Sequence, residues 1–484
     1  MLAFPPPAGV LGPTTLGTSP ELDLPLGSEI RLAGNGEQLT PETLLGGSPP
    51  RFLRLSPSGA AALEELRGGR VTSQAAAALA RRLTDTGLAE ARPAAVPPRL
   101  TVTVVVPVRD RPQELDRCLR SLRRSHPVMV VDDGSHDAAA VAVVCAEHGA
   151  ELVRRNASGG PAAARNTALD QVESDLVAFV DSDCRVPEGW IDRLLGHFAD
   201  PLVVAVAPRI VASRRGARRS ALDMGSRPAT VFPGGAVPYV PTAAVVARRV
   251  PLGTGFDASL RFGEDVDLVW RLRSAGWRVR YDPSVEVAHD DPPTLVGRLR
   301  RRFDYGTSVG PLALRHPGDL DHLVLAPGPA VTVGALATAR PVLAAASAAT
   351  VALSLARPLR RHGVGWSQIG RLFVLTLVNS WIGLGRWCGQ FAWPMLPAVL
   401  VAPGGRSRRR RAARRTAACL LVLTPVLRDL VRTGEQPSSW PAGLVSGLLE
   451  QAAYGAGAAT GCWRARVVSP ILPSVRRSAG QSAR

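Results

Sequence analysis

The segment L-V-A-F-V-D-S-D-C (176–184) reads as a short apolar strand that runs into two aspartates. Side chains two apart on extended chain point to the same side, so Asp181 and Asp183 converge. Two converging carboxylates supply half a coordination shell for Mg2+ or Mn2+, with diphosphate oxygens and water completing it. A cation held there neutralises the charge that builds on a departing nucleotide diphosphate. A D-x-D is common by itself, and its surroundings give this one weight.

Working back from it, T-V-T-V-V-V-P-V (101–108) is a continuous apolar run, as a strand buried on both faces requires. A helix near 114–124, the strand V-M-V-V-D-D, a helix over 139–148, the strand A-E-L-V-R and a helix over 162–172 follow, which predicts an open α/β sheet. Ligands of such sheets bind at the carboxyl ends of the strands, where the acidic motifs lie. The turn V-V-D-D-G-S (130–135) places Asp132 and Asp133 where a ribose or base could donate hydrogen bonds to them. The Gly-rich loop N-A-S-G-G-P-A-A-A-R-N (156–166) opens a helix whose N-terminal amides suit a phosphate, with Arg165 as a two-point donor. Further on, G-F-D-A-S-L-R-F-G-E-D-V-D-L-V-W-R-L-R-S-A-G-W (255–277) starts a helix at Glu264 and Asp265. Acids there complement the helix dipole, and Asp265 is also placed to act as general base on an acceptor hydroxyl.

In front of this domain the first twenty-five residues are rich in Pro, Gly and Ser and predict a flexible arm. Residues 26–92 read as strand (51–55), helix, helix and strand, with Ser56-Pro57 and Thr72-Ser73 as helix starts. That order fits either a winged helix or a plain helical appendage, and P-A-A-V-P-P-R (93–99) is a stiff linker. Behind the domain, uncharged runs cover 323–339, 341–356, 372–385 and 387–405. Only the last has the length of a spanning helix, and Gln390, Pro394 and Pro397 interrupt it. Apolar or amphipathic helices lying on a bilayer, with the arginines of 406–415 against anionic headgroups, are one reading of 317–484. An alanine-rich soluble helical domain is the other.

The chain has 484 residues, 58 basic against 40 acidic, and a net charge of +18. No lysine occurs. The excess lies mainly in the last third and favours an anionic membrane surface over nucleic acid. Six cysteines without a C-x-x-C pair exclude a zinc framework or a disulfide scaffold and suit a reducing compartment. No signal peptide is legible, so the active site is expected on the cytoplasmic face of the cell membrane.

Together the motifs from Thr101 to His316 resemble the family 2 glycosyltransferases of the GT-A fold. The resemblance implies that Pro107 and its neighbours, including Arg111, cradle the base, and that Asp132 and Asp133 hold uracil and ribose. It implies metal and donor binding by Asp181 and Asp183, and a single in-line displacement, inverting the anomeric centre, with Asp265 as base. His289 closes the strand V-E-V-A-H, where some relatives place a third metal ligand. In V-P-V-R-D-R, Arg109 and Arg111 stand where many relatives carry aromatic and acidic residues. The domain order, with F-D-Y-G-T-S (303–308) and Y-G-A-G-A-A-T-G-C-W (454–463), is similar to the glycosyltransferases of mycofactocin systems. That similarity implies UDP-glucose as donor and a peptide-derived redox cofactor as acceptor, with a peptide or partner protein at residues 26–92. A membrane polysaccharide or glycolipid synthase is the alternative. R-R-R-F-D-Y-G (300–306) does not match the Q-x-x-R-W signature of processive synthases. A nucleic-acid-binding winged helix would leave four motifs in catalytic order without a purpose.

Overall fold

The strand read from 101–108 forms over Val102–Val108 and takes an interior place in a mixed sheet, third from one edge. The computed structural model describes residues 23–475 except 35, 48–50, 93–98, 124, 214–218, 321, 396–407 and 433–435. Glu151–Arg154, Val128–Asp132, Val102–Val108 and Leu176–Val180 lie side by side in that order, all parallel. Ala244–Arg248 then runs antiparallel, followed by Val203–Ala212 and, parallel to that, Arg278–His289. The short strand Cys184–Arg185 closes the edge antiparallel to Arg278–His289, and Ala229–Val231 pairs with the start of that long strand. Among the described residues the sheet has nine strands. The parallel half was legible as repeated βα units. The mixed half was not, because its strands are joined by long irregular segments.

Val104, Val106, Leu176, Ala178, Val180, Val206 and Val246 build one core with Leu115, Leu119 and Ile191 from the covering helices. Each such valine or leucine contributes about 1.5–3 kcal/mol by leaving water. The parallel strands and Arg278–His289 point their carboxyl ends to one edge of the sheet. Asp132, Asp181, Asp183 and His289 all arrive there.

Residues 23–92 form a small unit with its own core of Leu24, Leu44, Leu63, Leu83 and Leu88. Its helices Pro57–Leu66 and Gln74–Asp85 start where the sequence indicated, with Ser56 Oγ accepting from the Gly59 amide and Ser73 Oγ from that of Ala76. Glu29–Leu32 pairs antiparallel with Ala89–Arg92, and Glu37–Thr40, Thr43–Gly46 and Arg51–Arg54 make a three-stranded meander. Glu29–Leu32, Glu37–Thr40 and Thr43–Gly46 were not expected. Each is four residues long and too short to show alternation. The arm expected at 1–25 lies outside the described residues up to 22, and Leu24 is packed rather than free. The linker expected at 93–99 is likewise outside them up to 98.

The helix Gln74–Asp85 joins this unit to the sheet by buried ion pairs. Arg81 makes two hydrogen bonds to Asp200, of 2.9 and 2.8 Å, and Arg280 reaches the same carboxylate at 2.7 Å. Arg278 grips Asp85 at 2.6 Å through both of its contacting nitrogens. Burial alone would raise the pKa of Asp200, but Arg280 and Arg81 outweigh it and hold the carboxyl below its usual range.

The first compact unit ends at Asp291 and the second begins at Pro292. The catalytic domain is therefore shorter than the expected 100–316, since Leu295–Gly306 and Val309–Arg315 pack with the later helices. In this second unit the segments F-D-Y-G-T-S and Y-G-A-G-A-A-T-G-C-W meet. A Cβ on Gly306 would collide with the Tyr454 carbonyl, and one on Gly457 with that of Phe303. Only glycine permits these backbones to approach so closely. Further helices are Pro327–Ala337, Pro341–Arg361, Trp366–Trp387, Arg408–Arg432 and Trp440–Arg464. Among the described residues, Pro341–Arg361 is the helix long and apolar enough to cross a membrane, not 387–405. The first residues of 387–405 continue the preceding helix as a π-helical turn, Cys388–Ala392, and a 3-10 turn, Trp393–Met395, and 396–405 lie outside the described residues.

Candidate active site

The turn after Val128–Asp132 is built around two satisfied carboxylates. Asp132 is fully buried, bonded to Arg154 and accepting the Ser135 amide at 2.8 Å. Asp133 accepts from Arg155 and Ser158 Oγ, both at 2.7 Å, and from the Gly159 and Gly160 amides at 3.0 and 2.8 Å. It thus caps the helix Gly160–Leu169, and the amides read from the sequence as a phosphate cradle are bound by this chain's own carboxylate. Pro107 sits buried in its strand beside Val131. Arg154, Arg155 and Ser158 were overlooked in the sequence. Two consecutive arginines at the end of the next strand, beside the D-D turn in a parallel sheet, could have signalled Arg154 and Arg155.

The D-x-D motif meets His289 through backbone register. Cys184 pairs with His289 across the edge ladder, which brings His289 Nε2 to 3.7 Å from Asp183 Oδ1. Arg111 Nη1 lies 2.7 Å from Asp183 Oδ2, so this arginine is at the carboxylate pair rather than beside Pro107 alone. Asp110, at φ 54°, turns the loop there, with its amide on Ser135 Oγ at 2.9 Å. Among the described residues no three His, Cys, Asp or Glu side chains gather into a metal cage. A carboxylate beside an imidazole nitrogen is still a donor pair that Mn2+ accepts, with the remaining ligands left to a donor diphosphate and water.

Arg165 lies at the centre. It is 2% exposed and bridges Asp181 Oδ1 at 2.6 Å and Glu264 Oε1 at 3.2 Å, with its guanidinium 5.3 Å from the centre of the Phe256 ring. The sequence suggested a phosphate donor. The structure makes it the link between the D-x-D motif and the helix Glu264–Ser274. Asn166, next to it on the helix Gly160–Leu169, is fastened to the loop that leads to Glu264. Its side chain donates to the Phe256 carbonyl at 2.7 Å and accepts the Phe256 amide at 2.8 Å. Gly255, at φ 72°, is required beside it, because a Cβ there would strike Asn166 Oδ1.

Asp265 follows Glu264 in the first turn, and its carboxylate accepts the Val266 amide at 2.8 Å. Burial, and then the charge of Glu264, push its pKa up to about 7, against the pull of the Val266 amide and Arg165. A carboxylate tuned to that range suits general-base work near neutrality. Asp267, in the same run, is instead paired with Arg271 at 2.7 Å and buried.

A mixed sheet with a D-x-D at one strand end and an acid pair opening a facing helix defines a family 2 glycosyltransferase of the GT-A fold, and residues 103–249 match the family described as Glycosyl transferase family 2. The chain belongs, more narrowly, to the pre-mycofactocin glycosyltransferases. It is 37% identical over 473 residues to the pre-mycofactocin glycosyltransferase of Mycobacterium tuberculosis, covering 92% of this chain and 96% of that protein. An N-acetylglucosaminyltransferase of Rhizobium meliloti is 29% identical over 45% of this chain and 58% of its own length. A solved mannosyltransferase from Pyrobaculum calidifontis, in complex with GDP-Man and Mn2+, matches at 18% identity and a TM-score of 0.45, over 76% of this chain and 88% of that one.

Proposed function

We propose that this enzyme moves a hexose, glucose from UDP-glucose, to mycofactocin or its precursor, with inversion at the anomeric carbon. The observation that carries the reading is the Arg165 bridge, which sets the donor-side Asp181 and the acceptor-side acid pair Glu264 and Asp265 around one guanidinium. Asp265 takes the proton of an acceptor hydroxyl as that oxygen bonds to the anomeric carbon. The bond from this carbon to the diphosphate oxygen breaks, and its electron pair leaves with the nucleotide. Asp183 and His289, with Asp181, would hold Mg2+ or Mn2+. Such a cation, when bound, stabilises charge on the leaving diphosphate. Pro107, Arg111, Asp132 and Asp133 shape the nucleotide end, and Arg165 keeps Glu264 from adding an uncompensated charge beside the base.

Two partners belong to the same reading. The front unit would dock a peptide or partner protein along the edge strand Arg51–Arg54 through main-chain hydrogen bonds. The second unit would rest on an anionic membrane at the cytoplasmic face. Support for that comes from composition: no Asp or Glu occurs between Asp321 and Asp429. Val342, Leu343, Leu353, Val374 and Val378 are exposed on the helices of that stretch.

The test is direct. Incubating the full chain with UDP-glucose, Mn2+ and the peptide-derived acceptor should yield a product one hexose heavier by mass spectrometry. Its anomeric proton should report a configuration opposite to the donor's. Retention, or transfer only to lipid or polysaccharide, would overturn the reading.

A further inference from the structure

His289 has a second neighbour that neither the reaction nor the D-x-D motif explains. While its Nε2 faces Asp183, its Nδ1 stands 3.3 Å from Asp291 Oδ1, within ion-pair distance but not aligned as a hydrogen bond. Asp291 lies just past the strand end, in H-D-D-P-P (289–293), where a chain leaving a sheet would carry the side chain away. It is held close by the residue between. The Asp290 amide donates to the Asp183 carbonyl at 3.1 Å. The Asp290 carboxylate accepts from Ser213 and lies 3.2 Å from Arg117 and 3.4 Å from Arg185. The segment is thus clamped on both sides, and His289 is 3% exposed with a carboxylate at each ring nitrogen.

We propose that Asp291 is a positioning residue for the divalent cation. Resting on the metal assignment above, the inference is that Asp291 turns slightly to accept the Nδ1–H of His289 when the cation is bound. This fixes the tautomer whose Nε2 lone pair points towards Asp183. An imidazole so anchored is a better ligand, because its ring orientation is set in advance and the carboxylate raises its basicity. Asp291 touches neither sugar nor acceptor in this scheme and acts only through His289.

Binding of Mn2+ alone to the full chain, followed by the electron paramagnetic resonance signal of the free ion, separates this role from a structural one. Asp291→Asn should weaken Mn2+ binding by about 10–100-fold while the thermal midpoint stays near that of the parent chain. Asp291→Glu should recover part of the loss, and His289→Ala should weaken binding at least as much as Asp291→Asn. In the parent chain saturated with Mg2+ and labelled with 15N-histidine, His289 should show a protonated Nδ1 and a bare Nε2. This spectrum decides the matter even if the variants fail to fold. Unchanged Mn2+ affinity in Asp291→Asn, or a protonated Nε2 in the Mg2+ form, overturns the role of Asp291 and leaves the metal assignment standing. Failure of the parent chain to bind Mn2+ at all overturns both.

Discussion

Arg81 and Asp200 form a two-point ion pair of 2.9 and 2.8 Å, buried between a helix of the front unit and the catalytic sheet. Removing Arg81 leaves the buried Asp200 with Arg280 as its remaining partner, at a cost of up to about 3–5 kcal/mol. Arg81→Met should therefore lower the midpoint of denaturant unfolding of the first unit sharply. Deleting residues 1–98 should do the same, since Asp200 loses Arg81 and Arg278 loses Asp85. A truncated chain that unfolds at the same denaturant concentration as the whole would remove the argument that the front unit is an integral part of the enzyme.

Asp265→Asn should reduce transfer by at least ~10²-fold, the lower scale of general-base catalysis, with nucleotide-sugar binding nearly intact. The base works only when deprotonated, so transfer by the parent enzyme should fall as pH drops through about 7. Stability should move the other way. Because the folded-state pKa is raised above the unfolded one, the folded chain binds the proton more tightly, and stability is lost as pH rises from about 4 to about 7. Asp265→Asn should then be more thermostable than the parent at pH 8, with the gap closing at pH 5. A variant less stable at pH 8 would show that burial is not what perturbs Asp265.

Asp183→Ala should abolish metal-stimulated donor turnover while the protein remains folded by circular dichroism. Excess chelator should do the same to the parent chain, and added Mn2+ should restore it. Full activity in chelator would refute the metal assignment.

The second unit should sediment with vesicles that contain anionic lipid and not with neutral ones. Headgroup attraction falls off within a Debye length, so high salt should release a chain held mainly by its arginines. If only detergent releases it, the exposed apolar helices are inserted. Recovery entirely in the soluble fraction of a lysate would refute the membrane reading.

Gly310→Val should destabilise the second unit by about 1–3 kcal/mol or more, because the Cβ would fall on the Gly461 carbonyl. Faster hydrogen exchange along Trp440–Arg464 would show it, and unchanged exchange would mean that the two helices separate freely.

Sequence alone carried the parallel half of the sheet, the helix starts at Ser56, Ser73 and Glu264, and the residues at the strand ends. Each follows from local rules: period, capping chemistry and the apolar run of a strand covered on both faces. What those residues do to one another was decided by the fold. Asp133 looks like a ligand group in sequence and is satisfied by the amides of a loop more than twenty residues away. Arg165 looks like a phosphate donor and is instead buried between two acids. The role of His289 rests on the register that sets it opposite Cys184, and that of Asp291 on the clamp made by Asp290. The contact of Arg81 with Asp200 joins segments that carry no mark of each other in the sequence. Charges, unlike apolar periodicity, acquire their meaning only from the partners and the burial that tertiary structure supplies.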